Sequence, residues 1–372
     1  MTDSGEKLIA LLKTLSELSG VSNFEDEVRE YIRDFTAGSA AEIRETDLGG
    51  LLVLKKGRKS PKQPIVLAAG MDEAGFLVKG IESDGKLRIE AVDEAFPPSV
   101  LFGKRLKLAR NGLRGVVPAK AIHLTTREER GKYPETDKLL MDISRDSDKD
   151  AEKVARVGDP VVLDAEFFEL AGGRVAGKAF ETRIPCSQLL TLFERELPYD
   201  TWFAFTTRTL IGSSGTTSAG RMLKPGAAVS VSVVQALDLP GVSAHERGAA
   251  LGEGAGIAIR DRYAFSDRAF AREAAAAHAR FFSSDVISAR LYGFLEGAPQ
   301  AKLLEVDTPV RHLRTPFETA ALSDIESGVD LLETVVACAG EILERAPESG
   351  DETLTGTEPA DGPGGKAGEG DE

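Results

Sequence analysis

Pro64-Ile-Val-Leu-Ala-Ala-Gly-Met-Asp-Glu-Ala-Gly-Phe76 is the stretch whose reading decides the fold of this chain. Its first half is apolar without polar alternation, as in a strand covered on both faces, and it ends on small residues before Asp72 and Glu73. Residues 51–54, Leu-Leu-Val-Leu, read as a companion strand. Further upstream, Leu8, Leu11, Leu12, Leu15 and Leu18 recur at helical intervals, so the polar, acidic start is an amphipathic helix and neither a signal peptide nor a membrane span. Ser22-Asn-Phe-Glu-Asp-Glu has helix-start chemistry ahead of the stripe Val28, Tyr31, Ile32 and Phe35, which predicts a second helix.

Downstream the character changes. Across residues 76–168, short alternating pieces such as Lys86-Leu-Arg-Ile-Glu and Arg105-Leu-Lys-Leu are broken by Gly and Pro, which predicts an inserted β-domain. Beyond Gly177, expected strands at 202–207 and 227–234 are separated by expected helices at 187–196, 267–282 and 325–345. That order predicts an α/β fold with a mainly parallel, helix-covered sheet. The expected organisation is an α/β domain of residues 1–75 plus 169–346, an insertion at 76–168 and a disordered acidic tail at 347–372.

Composition narrows the function. A chain of 372 residues is long enough for two cores, and 46 Lys plus Arg against 60 Asp plus Glu give a net charge of -14, which excludes the electrostatic footprint of a nucleic-acid partner. Cys186 and Cys338 are too few for a disulfide framework or a thiolate metal cage, and a cytoplasmic protein is expected.

Several strings, in order, resemble the TET-type metallo-aminopeptidases, also described as glutamyl, deblocking or endoglucanase-like aminopeptidases. They include Leu18-Ser-Gly-Val-Ser-Asn-Phe-Glu-Asp-Glu, Asp47-Leu-Gly-Gly-Leu, Leu67-Ala-Ala-Gly-Met-Asp-Glu-Ala-Gly-Phe, Arg156-Val-Gly-Asp-Pro-Val-Val, Val175-Ala-Gly-Lys-Ala-Phe, Asp238-Leu-Pro-Gly and Arg311-His-Leu-Arg-Thr-Pro. The resemblance covers about residues 6–346 and implies a peptidase α/β domain interrupted by a PDZ-like dimerisation domain.

It also implies a site of two bridged metals, with a Glu moving the proton. Position by position, this chain departs from that pattern. Gly70 stands at the first His ligand, although the supporting Asp72 remains. Glu181, in Lys178-Ala-Phe-Glu-Thr-Arg, stands at the bridging Asp. Thr209 and Leu210 replace the general-base Glu and its neighbouring ligand, Ser232 replaces an Asp ligand, and Arg314 replaces the closing His. Asp72, Glu181, Arg183 and Arg314 are the expected retained cleft residues, with Arg314 compensating the carboxylates of Glu181 and Asp72.

Other constellations carry less. His123, His245, His278 and His312 lack ligand-like spacing. Gly252-Glu-Gly-Ala-Gly256 has no P-loop Lys-Ser/Thr behind it and reads as a turn, while Ser213-Ser-Gly-Thr-Thr-Ser lacks a nucleophile elbow and reads as the loop after a strand, with a helix cap as the alternative. Cys186, beside Pro185, reads as a buried small hydrophobe.

The sequence thus predicts a non-catalytic homologue without a cofactor. It would act as a scaffold or regulatory homo-oligomer, as a hetero-oligomer with an active paralogue, or as a binder of a peptide ligand in the old cleft. The alternative is an active zinc- or cobalt-dependent aminopeptidase with a rearranged site drawing on Asp72, Glu73, Glu181, Asp238, Glu296, Asp307 and His312. A third reading has Arg208, Thr209 and Arg314 holding an anionic substrate.

Overall fold

The structure, a computed structural model, describes residues 3–93, 100–119, 121, 123, 125–126, 139–243, 248–276, 280–282 and 290–345. His245, His278 and the expected acidic tail lie outside the described residues. Helices α1 (Asp3–Glu17) and α2 (Asp26–Thr36) precede strands β1 (Glu42–Glu45), β2 (Leu51–Lys55) and β3 (Ile65–Gly70). A second sheet intervenes, built from β4 (Phe76–Ile81), β5 (Leu87–Ala91), β6 (Arg105–Leu108), β7 (Arg114–Val116), β8 (Leu139–Met141) and β9 (Pro160–Leu163), with the short helix α3 (Asp148–Ala151) before its last strand. The chain returns through β10 (Phe168–Leu170), β11 (Arg174–Gly177), α4 (Phe180–Phe193), β12 (Thr201–Thr206), α5 (Ser214–Leu223) and β13 (Ala227–Gln235). It closes with β14 (Gly256–Ala258), α6 (Arg268–Ala275), β15 (Arg280–Phe282), α7 (Arg290–Gly297), β16 (Lys302–Arg311), β17 (Glu318–Ala321) and α8 (Leu322–Glu344).

The large sheet runs β1-β2-β12-β3-β13-β16-β17-β11-β10, with β14 and β15 branching from β16. The parallel arrangement expected from the sequence is its centre: β12, β3, β13 and β16 are parallel, and antiparallel strands extend both flanks. Every residue of β3 is buried, because each face of the sheet carries helices. Ile65, Leu67 and Ala69 meet Leu15 of α1, Ile32 of α2, Leu189 of α4, Phe270 of α6 and Val335 of α8 in one core. Val66 and Ala68, pointing the other way, join Ala219 of α5 and Leu291 and Phe294 of α7 in another. The inserted sheet, ordered β7-β6-β9-β4-β5-β8, has its own core around Phe76, Ile89, Leu106 and Val161. Its last strand ends at Leu163, and Phe168 already belongs to the large sheet.

Three elements differ from expectation. Helix α4 starts at Phe180, well before residue 187, and its internal Pro185 hides that start because proline usually marks a boundary. Helix α5 forms where Ser213-Ser-Gly-Thr-Thr-Ser suggested a loop. Its helix propensity is poor, but Thr216, Ala219, Gly220 and Leu223 are buried, so tertiary packing overrides it. Helix α6 stops at Ala275, and Arg280–Phe282 becomes a strand by pairing with β14, a partner no local pattern announces.

Candidate functional site

The central parallel strands put the C-terminal ends of β3 and β12 side by side, Thr206 opposite Gly70, and the segments that follow them build one buried floor. Asp72 is wholly buried and accepts from Ser22 Oγ at 2.6 Å, from the Leu210 backbone N–H at 2.8 Å and from the Thr209 hydroxyl. Beneath it, Glu73 accepts from the Gly20 N–H at 2.8 Å and pairs with the buried Lys178, whose ammonium burial holds below its ordinary value. Arg183 completes this layer, donating to the Leu15 carbonyl at 2.9 Å and standing 3.5 Å from Glu73. It is completely buried and faces α1 and the segment after β3, so it braces the floor from behind instead of lining the cleft.

Gly70 and Thr209 interlock. A Cβ at Gly70 would lie 2.2 Å from Thr209 Oγ1 and 3.1 Å from its Cβ, so Thr209 fills the space a side chain at 70 would need. Thr209 is held there by Asp72 and by its neighbour Arg208, which adopts φ 56, donates its N–H to Glu25 at 3.0 Å and points its guanidinium to Asn23. Glu25 is pushed up to about 7, first by burial and then by Asp72. The Thr209 hydroxyl proton is committed to Asp72, and Arg208 to the Asn23–Glu25 turn; neither is grouped with Arg314 around the cleft.

Glu181 is the second centre. Ala179, at φ 62, turns the chain into α4 and leaves Glu181 in the first helical turn, where the helix dipole favours a carboxylate. Two guanidiniums approach it from different elements: Arg314 Nε lies 3.2 Å from Oε2, and Arg290 Nη2 lies 3.7 Å from Oε1. Arg314 sits in the turn between β16 and β17 at φ 63, and its Nη1 is 2.8 Å from Asp93, which follows β5 of the inserted sheet. Glu318 accepts from the Glu181 N–H at 3.0 Å and from the Arg314 N–H at 2.8 Å. Its carboxyl is pushed up to about 8, by burial and then by Glu181, against the pull of the two N–H donors and Arg314. On the other flank, Arg290 donates to Ser232 Oγ, and Asp307, opposite Ser232 on β16, is pushed up to about 7 chiefly by burial, against the pull of the Arg290 charge.

Arg314 therefore does reach Glu181, but its other carboxylate is Asp93; Asp72 is satisfied by hydroxyl and backbone donors. Leu210, Glu181 and Arg314 line a cavity of about 10 Å³, room for one water at most. The remaining candidates do not converge on it. Asp238 pairs with Arg311, Glu296 accepts from Tyr292, and His312 and His123 are exposed. The Gly252 and Gly254 N–H groups bind Asp324, each at 2.8 Å, so that segment is a turn closed by an acid. Cys186 donates to the Gly70 carbonyl at 3.1 Å with its thiol pushed up to about 12 by burial, the behaviour of a packed hydrophobe. Among the described residues, no three His, Cys, Asp or Glu side chains are grouped to hold a metal ion.

Sequence reasoning missed Arg290, Asp93 and Glu318. Only Glu318 had a local signal, an acid four residues after Arg314 across Pro316; Arg290 and Asp93 reach the site by topology alone.

A family model described as M42 glutamyl aminopeptidase matches residues 49–287. The glutamyl aminopeptidase of Lactococcus lactis subsp. cremoris is 28% identical over 204 residues, covering 52% of this chain and 57% of that protein. An aminopeptidase from the archaeon Desulfurococcus kamchatkensis shares the fold with a TM-score of 0.84 at 24% identity, over 91% of this chain and 97% of that one. The TET1 peptidase of Pyrococcus horikoshii, which can assemble into a tetrahedron or a large octahedral shell, does so with a TM-score of 0.76 at 24% identity, over 88% and 99%.

Proposed function

Since the chain belongs to the M42 glutamyl aminopeptidase family, we propose that it is a member without the metal-dependent peptidase chemistry, acting as a homo-oligomeric scaffold or regulatory subunit. The observation that carries this reading is the guanidinium of Arg314 lodged 3.2 Å from Glu181, a cation where the family resemblance implies a ligand for one. The donor set does not fit a two-metal centre. Gly70 has no donor atom and no room for one, Leu210 has none, and Ser232 is bonded by Arg290. Thr209, bound to Asp72, cannot replace a carboxylate as proton acceptor at neutral pH.

The cleft speaks for a scaffold ahead of a peptide binder, because a one-water cavity beside Glu181 admits a peptide end only if Arg314 withdraws. No helix among the described residues is long and apolar enough to cross a membrane. The names of its relatives favour a second reading, an active aminopeptidase with a rearranged site. Elemental analysis of the purified chain, with aminoacyl-p-nitroanilide hydrolysis measured with and without added zinc or cobalt, separates the two. We expect neither bound metal at stoichiometry nor turnover; metal at one or two per chain together with hydrolysis overturns the proposal.

A further inference from the structure

We infer that Arg290 and Arg314 are the resident counter-cations of the cleft, and that Arg314, by sharing its guanidinium between Glu181 and Asp93, fastens the inserted sheet to the large one. The inference rests on the metal-free reading above and extends it to what holds the site together.

Four carboxyl groups crowd this region, and each is nearly out of water: Glu181 is 6% exposed, Asp93 8%, Glu318 2% and Asp307 2%. A buried carboxylate that keeps its charge needs a counter-cation, and Glu181 and Asp93 are the two that meet Arg314 directly. The chain supplies two, themselves buried, Arg290 at 3% and Arg314 at 6% exposure. They take different oxygens of Glu181, at 3.7 and 3.2 Å, and each continues to a further partner, Arg290 to the Ser232 hydroxyl and Arg314 to Asp93 at 2.8 Å. A planar, forked cation suits this bridging, because Nε and Nη1 of Arg314 face different carboxylates from one rigid group.

The backbone supports the assignment. Arg314 adopts φ 63, a left-handed conformation that strains a residue with a Cβ and that glycine adopts freely. A strained arginine at a position that suits glycine is retained by its side chain. Asp93 follows β5 of the inserted sheet and Glu181 lies in α4 against the large one, so this one side chain ties the end of one sheet to a helix packed on the other.

The test uses the full chain and its thermal unfolding midpoint. For the unsubstituted protein the midpoint should not move on adding EDTA; a fall with EDTA overturns the inference, since dissolved metal would then be holding the site. Arg314→Gly relieves the backbone strain and by that alone would stabilise. We expect it instead to lower the midpoint by roughly 5 °C or more, with part of the loss restored by millimolar guanidinium ion, which refills the vacated space. Glu181→Gln in the Arg314→Gly background should add little further loss, because the partners are coupled. A midpoint for Arg314→Gly at or above the starting protein overturns the inference. If that variant yields no soluble protein, Asp93→Asn decides: faster amide exchange in residues 76–91 with an unchanged large sheet supports the fastening, and unchanged exchange overturns it. The two readings fail separately. Metal with turnover sinks the proposed function, whereas a metal-free protein indifferent to loss of Arg314 sinks only this inference.

Discussion

A methyl group at position 70 would stand 2.2 Å from the Thr209 hydroxyl oxygen, closer than real side-chain contacts come. Thr209 cannot easily retreat, since its hydroxyl is bonded to Asp72 and Arg208 beside it is pinned to Glu25. We therefore expect Gly70→Ala to destabilise the protein by about 1–3 kcal/mol in chemical denaturation, as overpacking does, and Gly70→Ala with Thr209→Gly to recover part of that loss. An unchanged midpoint for the single variant would remove the interlock. At this scale the sequence was informative about what each position lacks and silent about what fills it. The absence of a donor at Gly70 and the cation at Arg314 are chemical identities, visible in one dimension. That Thr209 occupies the space above Gly70, or that Arg314 finds Asp93 and not Asp72, depends on distances between residues remote in the chain.

Between elements, Glu318 is the tie to watch. Its carboxyl joins the first turn of α4 to the turn between β16 and β17 by accepting from Glu181 and Arg314 backbone N–H groups, and burial with Glu181 alongside lifts it from 4.5 to about 8. A carboxyl whose folded value is raised favours folding while it is protonated. Its contribution is complete below about 4.5 and is lost as the pH climbs through about 8. Asp307 and Glu25, raised to about 7, act in the same direction. Thermal melts between pH 5 and 8.5 should thus show stability declining, with a shallower decline in Glu318→Gln; equal slopes for the two proteins would rule out Glu318 as a source. Element existence was mostly legible, because β3 and the opening helices carry their own periodicity. The failures are instructive: α5 depends on burial against α7 and β12, and β15 on a strand it meets only in the folded chain.

For the whole molecule, the order of the strings along the chain proved the most durable signal, since it reports topology and survives replacement of individual residues. Family membership and the mixed α/β fold follow from it. The site does not, because a fold constrains where a cleft lies and leaves open what lines it. Assembly belongs to this scale as well. If the chain self-associates, light scattering coupled to size exclusion will give a mass of two or more chains. A monomer at micromolar concentration contradicts that expectation.

The interlock of Gly70 with Thr209 also bears on how such a chain changes over generations. Any gain of a side chain at position 70 must pass through a crowded intermediate unless Thr209 shrinks first, and a smaller residue there gives up the hydroxyl that holds Asp72. Either order of steps lowers stability before anything is regained. The floor thus behaves as a ratchet: the rim can vary freely, while a side chain at position 70 is best accommodated by changing positions 70 and 209 together.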